Sequence, residues 1–231
     1  MNGTRLLRRV FALLLLLALV TVMTGCFTIT ISPRYVTLSD DYTTLTATPD
    51  SEKVYRIEID NMSFTNSKDV AIDIAYSDTP SVEAVVSEDL LDYGFKITMN
   101  NGVLRVGPSK HLEIRTDRFE LKIRARFDEI DFSGGYDVTV DADGAQSLSL
   151  NVSGAANGSV ENLYVSDFDA KISGAGSFAL SGAADKATIH ISGAGDIEAA
   201  GLTCNALDAK ISGAGDMTIA VVDVLEAKIS G

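Results

Sequence analysis

The sequence predicts an all-β fold, a solenoid of stacked parallel strands with about 20 residues per coil. Three observations carry that prediction. One phrase recurs: KISGAGD (residues 210–216), HISGAGD (190–196), KISGAGS (171–177) and NVSGAAN (151–157), with FSGGYD (132–137) as a divergent copy and KISG (228–231) as a short one. The serines of the phrase, Ser133, Ser153, Ser173, Ser192, Ser212 and Ser230, follow one another at steps of 20, 20, 19, 20 and 18 residues. Apolar and polar residues alternate with period two before each serine, the signature of a strand with one face in a core and one in water.

The chain divides into four parts. Residues 1–25 read as an export signal: Arg5, Arg8 and Arg9 precede an apolar run over residues 10–22, too short for a comfortable membrane span. VMTGC (22–26) then resembles a bacterial lipoprotein signal, in which the Cys is lipidated and becomes the new N-terminus. Cys26 is therefore the expected lipidation site, with Met23 standing where Leu is usual. This places the protein in the cell envelope, on the outer side of the cytoplasmic membrane or in the outer membrane. Phe27 lacks the Asp that commonly retains lipoproteins at the inner membrane, which favours the outer one. Residues 26–50, rich in Thr, Ser and Asp with Pro33 and Pro49, read as a tether.

Residues 51–131 form a less regular β part. VYRIEID, VAIDIAYS, FKITMNNGVLRVG and FELKIRARF read as strands, with Asn100, Asn101 and Gly102 marking a tight turn. SEDLLDYG (87–94) is the one short helix expected, capped by Ser87 and stopped by Gly94. Residues 132–231 are the regular repeats. Aligned on the serines, the inward columns read Leu148, Phe168, Ala187, Leu207, Leu225; then Leu150, Ala170, Ile189, Ala209, Ala227; then Val152, Ile172, Ile191, Ile211, Ile229. The outward columns read Ser149, Asp169, Thr188, Asp208, Glu226 and Asn151, Lys171, His190, Lys210, Lys228, charges that suit solubility and register.

The phrase itself reads as a corner. Gly154, Gly174, Gly176, Gly193, Gly195, Gly213 and Gly215 allow positive φ and close approach of neighbouring coils. Asp137, Asn157, Ser177, Asp196 and Asp216 follow as turn formers. Chemistry is harder to find. Gly174 to Ala179 fits a dinucleotide fingerprint in letters, but a strand follows where a helix is needed. Asp196 and Asp216, neighbours on adjacent coils, are the candidate calcium ligands, diluted by Asn157 and Ser177 in the same column. The same pair could serve a glycosidase, yet no repeat is broken by unlike residues, Trp is absent, and His111 and His190 have no matching nucleophile. Cys204 reads as a small buried apolar residue. With 19 Lys plus Arg against 32 Asp plus Glu, nucleic acid is not an expected partner.

The repeats, following VLRVG and FELKIRARF, resemble the family of bacterial envelope proteins called "putative auto-transporter adhesin, head GIN domain". The resemblance covers residues 54–231; positions 193–196 and 213–216 match its corner motif fully and 154–157 loosely. It implies a right-handed parallel β-helix, similar in shape to pectin lyases and some acyltransferases but without their catalytic residues. It also implies a role in adhesion, so neither catalytic residue nor cofactor is carried over. The reading is a non-enzymatic surface lipoprotein, an adhesin or interaction module. It would be held to the membrane through lipid on Cys26 and would bind an unidentified surface glycan or protein. The rival readings are a polysaccharide-active β-helix enzyme, a lyase or glycosidase, and an envelope-stress sensor of a related repeat type. The sequence stops inside its sixth corner. The expectation is a chain cut short, or an open last coil covered by a partner or by self-association.

Overall fold

The computed structural model describes residues 35–49 and 54–230. The signal segment and Cys26 lie outside the described residues. About 69% of the chain is strand, and the described helix is a single turn, so the fold is all-β.

In chain order the strands are β1 (Tyr35–Thr37), β2 (Tyr42–Ala47), β3 (Arg56–Phe64), β4 (Asp69–Tyr76) and β5 (Ser81–Ser87). Helix α1 (Asp89–Asp92) is followed by β6 (Lys96–Asn100), β7 (Val103–Gly107), β8 (Leu112–Arg115), β9 (Arg118–Ala125), β10 (Glu129–Gly135) and β11 (Asp137–Asp141). The repeats hold β12 (Ser147–Val152), β13 (Asn157–Ile172), β14 (Ser177–Ile191), β15 (Asp196–Ile211) and β16 (Met217–Ile229). All sixteen belong to one sheet.

The repeats pair parallel and in register. Leu148 faces Phe168, Phe168 faces Ala187, Ala187 faces Leu207, and Leu207 faces Leu225. The other four columns pair in the same way, so each inward column is a stripe of core as far as β15. On β16 its last members, Leu225, Ala227 and Ile229, expected to face inward, are exposed because among the described residues no further strand covers them. Within the stripe, size is balanced between neighbours: Phe168 lies beside Ala187, and Ala170 beside Ile189, all buried. Burying a large aliphatic or aromatic side chain contributes roughly 1.5–3 kcal/mol, so complementary volumes along the stripe supply most of the driving force. The unequal steps between repeats are absorbed by register shifts. β13 pairs with β14 at a spacing of 20 up to Val160↔Leu180 and of 19 from Leu163↔Gly182 onward. Asn162, at φ 53°, sits in that shift and donates through Nδ2 to Asp141 Oδ1 at 3.0 Å.

The N-terminal part is stacked out of chain order. β3 lies between β7 on one side and β10 on the other, parallel to both, and β4 lies between β9 and β11. Segments 103–125, 56–76 and 129–141 therefore stack in that spatial order. β5 and β2 close one border of the sheet, β5 antiparallel to β9 and β2 antiparallel to β5.

Three expectations are corrected. The stretch expected as a tether carries β1, parallel to β8, and β2, antiparallel to β5. Alternate threonines and aliphatic residues suit an edge strand as well as a linker. Ser87 ends β5, buried at 1% exposure, and does not cap α1; Glu88 holds the cap position without a side-chain bond. Gly94, at φ +79°, does end that turn. The corner glycines have no positive φ; among the described residues the positive-φ glycines are Gly94, Gly102, Gly107, Gly144 and Gly182. The hairpin at Asn101 (φ 50°) and Gly102 (φ 76°) joins β6 to β7 through the two-residue turn that Asn-Gly favours.

Candidate functional site

The chain bends at each copy of the phrase, and the bends separate two grooves on the outer surface. What demands glycine at the bends is proximity. A β-carbon on Gly154, Gly174, Gly193 or Gly213 would overlap the carbonyl oxygen of Gly134, Gly154, Gly174 or Gly193 respectively. Gly176, Gly195 and Gly215 lie over Ala156, Gly176 and Gly195 in the same way. The ladder runs on through the bend: the Ala155, Ala175, Ala194 and Ala214 N–H groups donate to Gly134, Gly154, Gly174 and Gly193 at 2.7–3.1 Å.

The groove after the bends, about 630 Å³, carries Asp137, Asn157, Ser177, Asp196 and Asp216. Here the candidate calcium ligands are adjacent, but Asp196 Oδ1 accepts the backbone N–H of Asp216 at 2.8 Å. Asn157 Oδ1 accepts the Ser177 N–H at 3.0 Å in the same manner. These two side-chain-to-backbone bonds each tie one turn to the next, and Asn157 Nδ2 donates to Asp137 Oδ1 at 3.4 Å across another step. Among the described residues no group of three or more His, Cys, Asp or Glu is placed to hold a metal ion.

The groove before the bends, about 560 Å³, has two rows as its lining. One runs Glu58, Asp131, Asn151, Lys171, His190, Lys210 in register across β3, β10, β12, β13, β14 and β15. The other, two residues further along each strand, runs Asp60, Ser133, Ser153, Ser173, Ser192, Ser212. Period-two alternation aims both rows outward over the buried Val152, Ile172 and Ile191.

The two ends differ in charge. At the N-terminal end the carboxylates are tied down. Arg105 pairs with Glu58, and Arg56 reaches Glu129, Asp131 (3.2 Å) and Glu58 (3.7 Å). Asn151 Nδ2 donates to Asp131 at 2.7 Å and Glu129 at 3.0 Å, and Ser133 Oγ donates to Asp60 at 2.7 Å. The hydrogen bond to Glu129 holds the Arg56 guanidinium protonated more firmly than usual, while burial pushes the Asp131 carboxyl up. At the other end Lys171 Nζ is 2.9 Å from Asp169 Oδ1, in the row behind the groove. His190 and Lys210 have no ion pair or side-chain hydrogen bond among the described residues.

His111 lies just before β8 and does not line the groove, so the two histidines are not brought together. Cys204 is fully buried, its thiol donating to the Ala220 carbonyl at 3.6 Å, and burial pushes its pKa up. The Lys and His column was visible in the sequence as an outward row. Its continuation into Asp131 and Glu58 was not, because Glu58 is separated from Asp131 by 73 residues.

The family model for "putative auto-transporter adhesin, head GIN domain" matches residues 63–231. The chain belongs to this family. Solved structures share the fold of this head GIN domain protein. One is titled a putative adhesin from Bacteroides fragilis, with TM-score 0.70 and 20% identity over 85% of this chain and 88% of that one. A second putative adhesin, from Parabacteroides distasonis, has TM-score 0.51 and 22% identity over 86% and 97%. A putative lipid binding protein from Parabacteroides distasonis has TM-score 0.58 and 14% identity over 85% and 99%. Among curated proteins no sequence match was found.

Proposed function

We propose that this protein is a non-enzymatic binding module of the bacterial envelope, an adhesin head anchored by lipid on Cys26 and wound as a right-handed parallel β-helix. The observation that carries the reading is the groove before the bends: one row, unbroken in register from buried Glu58 through half-buried Asp131, Asn151 and His190 to exposed Lys171 and Lys210, flanked by the hydroxyls of Ser133 to Ser212. Such a surface can hold an extended ligand along many weak contacts.

Its groups are poorly arranged for turnover. The carboxylates of the acidic end are engaged by ion pairs from Arg56 and Arg105 and by hydrogen bonds from Asn151 and Ser133, so none is left as a free acid and base pair. Among the described residues no hydrogen bond joins His190 to a serine of the neighbouring row, so no activated nucleophile is assembled. The 13-residue apolar run ending just before Cys26 supports export and lipid anchoring. The head GIN family label and the similar adhesin structures support an envelope location.

The test is retention of cells on beads coated with the full chain, run beside an assay for products released from polysaccharides. Saturable retention without product supports the adhesin. Product release supports the polysaccharide-active enzyme instead. Palmitate labelling that is lost in Cys26→Ser tests the anchor.

A further inference from the structure

We propose that the groove before the bends is a binding site for an acidic oligosaccharide, its carboxylate or sulfate groups seated on Lys171, His190 and Lys210. The proposal deepens the adhesin reading and rests on it.

Three features select this ligand. The first is the spacing of nitrogen donors. Lys171, His190 and Lys210 occupy one register position on β13, β14 and β15, so their side chains repeat every ~4.8 Å across the strands. That is close to the advance per ring along an extended glycan, so successive acidic sugars meet successive strands. The second is availability. Lys210 is exposed, and neither it nor His190 is engaged by an acidic side chain among the described residues. The Asp169 carboxylate that pairs with Lys171 stands in the row behind the groove, where it steers the ammonium without occupying the groove.

The third feature is the pattern of neutral and acidic groups. Ser173, Ser192 and Ser212 run beside the cations and can donate to or accept from ring hydroxyls. Beyond them Asn151, Asp131 and Asp60 offer an amide and carboxylates, which suit hydroxyl donors and repel further anionic charge. The groove thus accepts a few acidic sugars at one end and neutral hydroxyls at the other. A long, uniformly charged polyphosphate would run into Asp131, Glu58 and Asp60.

The test is titration calorimetry on the full chain in detergent. The ligands are tetragalacturonate, its fully methyl-esterified form and a sulfated tetrasaccharide. The variants are Lys210→Glu, Lys210→Gln and the double variant Lys171→Glu/Lys210→Glu. Lys186→Glu, exposed and outside the groove, is the charge control. Equal thermal midpoints verify folding. The expected result is binding of at least one anionic tetrasaccharide but not of the neutral ester. Lys210→Glu should weaken it about tenfold or more, because a charge-assisted hydrogen bond is replaced by a like-charge contact. Lys186→Glu should change it less than about twofold, as an exposed charge remote from the ligand does.

Equal binding of the neutral ester overturns the proposal. So does acidic binding that survives the double reversal. Absence of any oligosaccharide binding while coated beads still retain cells overturns it too, and leaves the adhesin reading standing. Failure of the beads themselves to retain cells overturns that broader reading separately.

Discussion

Gly193 lies directly over the carbonyl of Gly174, so close that a β-carbon on Gly193 would overlap the oxygen, while Ala194 N–H donates to that same oxygen at 3.0 Å. The bend is held by a backbone bond that exists only because one residue has no side chain. Gly193→Ala must push two repeats apart or lose the bond. It is expected to destabilise the fold by at least about 1–3 kcal/mol, the cost of overpacking a close contact. Ala194, next to it, is exposed, so Ala194→Ser should stay within about 0.5 kcal/mol. Urea denaturation of both variants checks the contrast. Equal midpoints for Gly193→Ala and the wild type would show that the bend tolerates a side chain.

Tyr136 adds a pH dependence. Its ring is 5% exposed and its hydroxyl donates to the Ile59 carbonyl at 2.7 Å. Burial, with Asp60 nearby as a second cause, pushes the phenol well above its ordinary value. A group whose pKa is raised on folding contributes stability that is fully present below its unfolded pKa and is lost as pH rises above it. The unfolded value is about 10, so the loss should begin there. Tyr136→Phe should cost about 1 kcal/mol at pH 7 through the lost hydrogen bond. The same variant should fall less steeply than the wild type between pH 9.5 and 11, by denaturation at each pH. Parallel curves would remove Tyr136 as the source.

The Asp196 carboxylate is already employed, since Oδ1 accepts the Asp216 N–H at 2.8 Å. Asp196→Ala should therefore lower stability by about 0.5–1 kcal/mol, with or without calcium. Millimolar calcium should leave the thermal midpoint of the full chain unchanged. A calcium-dependent rise that disappears in Asp196→Ala would identify a metal site, because a ligand that binds only the folded state raises its midpoint by mass action.

The repeats were legible because two periods coincide in them. Period two set which side chains face the core, and a period near twenty set which of them stack, so all five columns could be written down by number. Nothing comparable existed for β3. Its partners, β7 and β10, are fixed by which segments complete each other's apolar stripes across long separations, as Ile57 does with Leu104 and Ile130. The acidic end of the groove was hidden for the same reason. β1 and β2 went unread because three and six residues of Tyr, Thr and aliphatic side chains look alike in a linker and in an edge strand. For the glycines of the phrase two reasons were available to a sequence, positive φ and close approach; these glycines have no positive φ and lie against the backbone of the neighbouring repeat.

Arg56 is the side chain on which the acidic end depends. It faces Glu58, Glu129 and Asp131, which belong to β3 and β10, and Glu58 is 9% exposed. Burial already disfavours the charged form of Asp131, so the guanidinium supplies the countercharge that lets three carboxylates share one patch. Arg56→Met keeps much of the stem and removes that charge. The carboxylates then repel one another, and the fold should lose the equivalent of about 1–3 kcal/mol at pH 7. Burial already favours the neutral form of Asp131, so as pH falls toward 4 that carboxyl can take up a proton and the gap between variant and wild type should narrow. Denaturation midpoints at the two pH values check the sign. A gap that is the same at pH 4 as at pH 7 would mean that the loss does not come from the charge of Arg56. A gap that closes would assign it to charge.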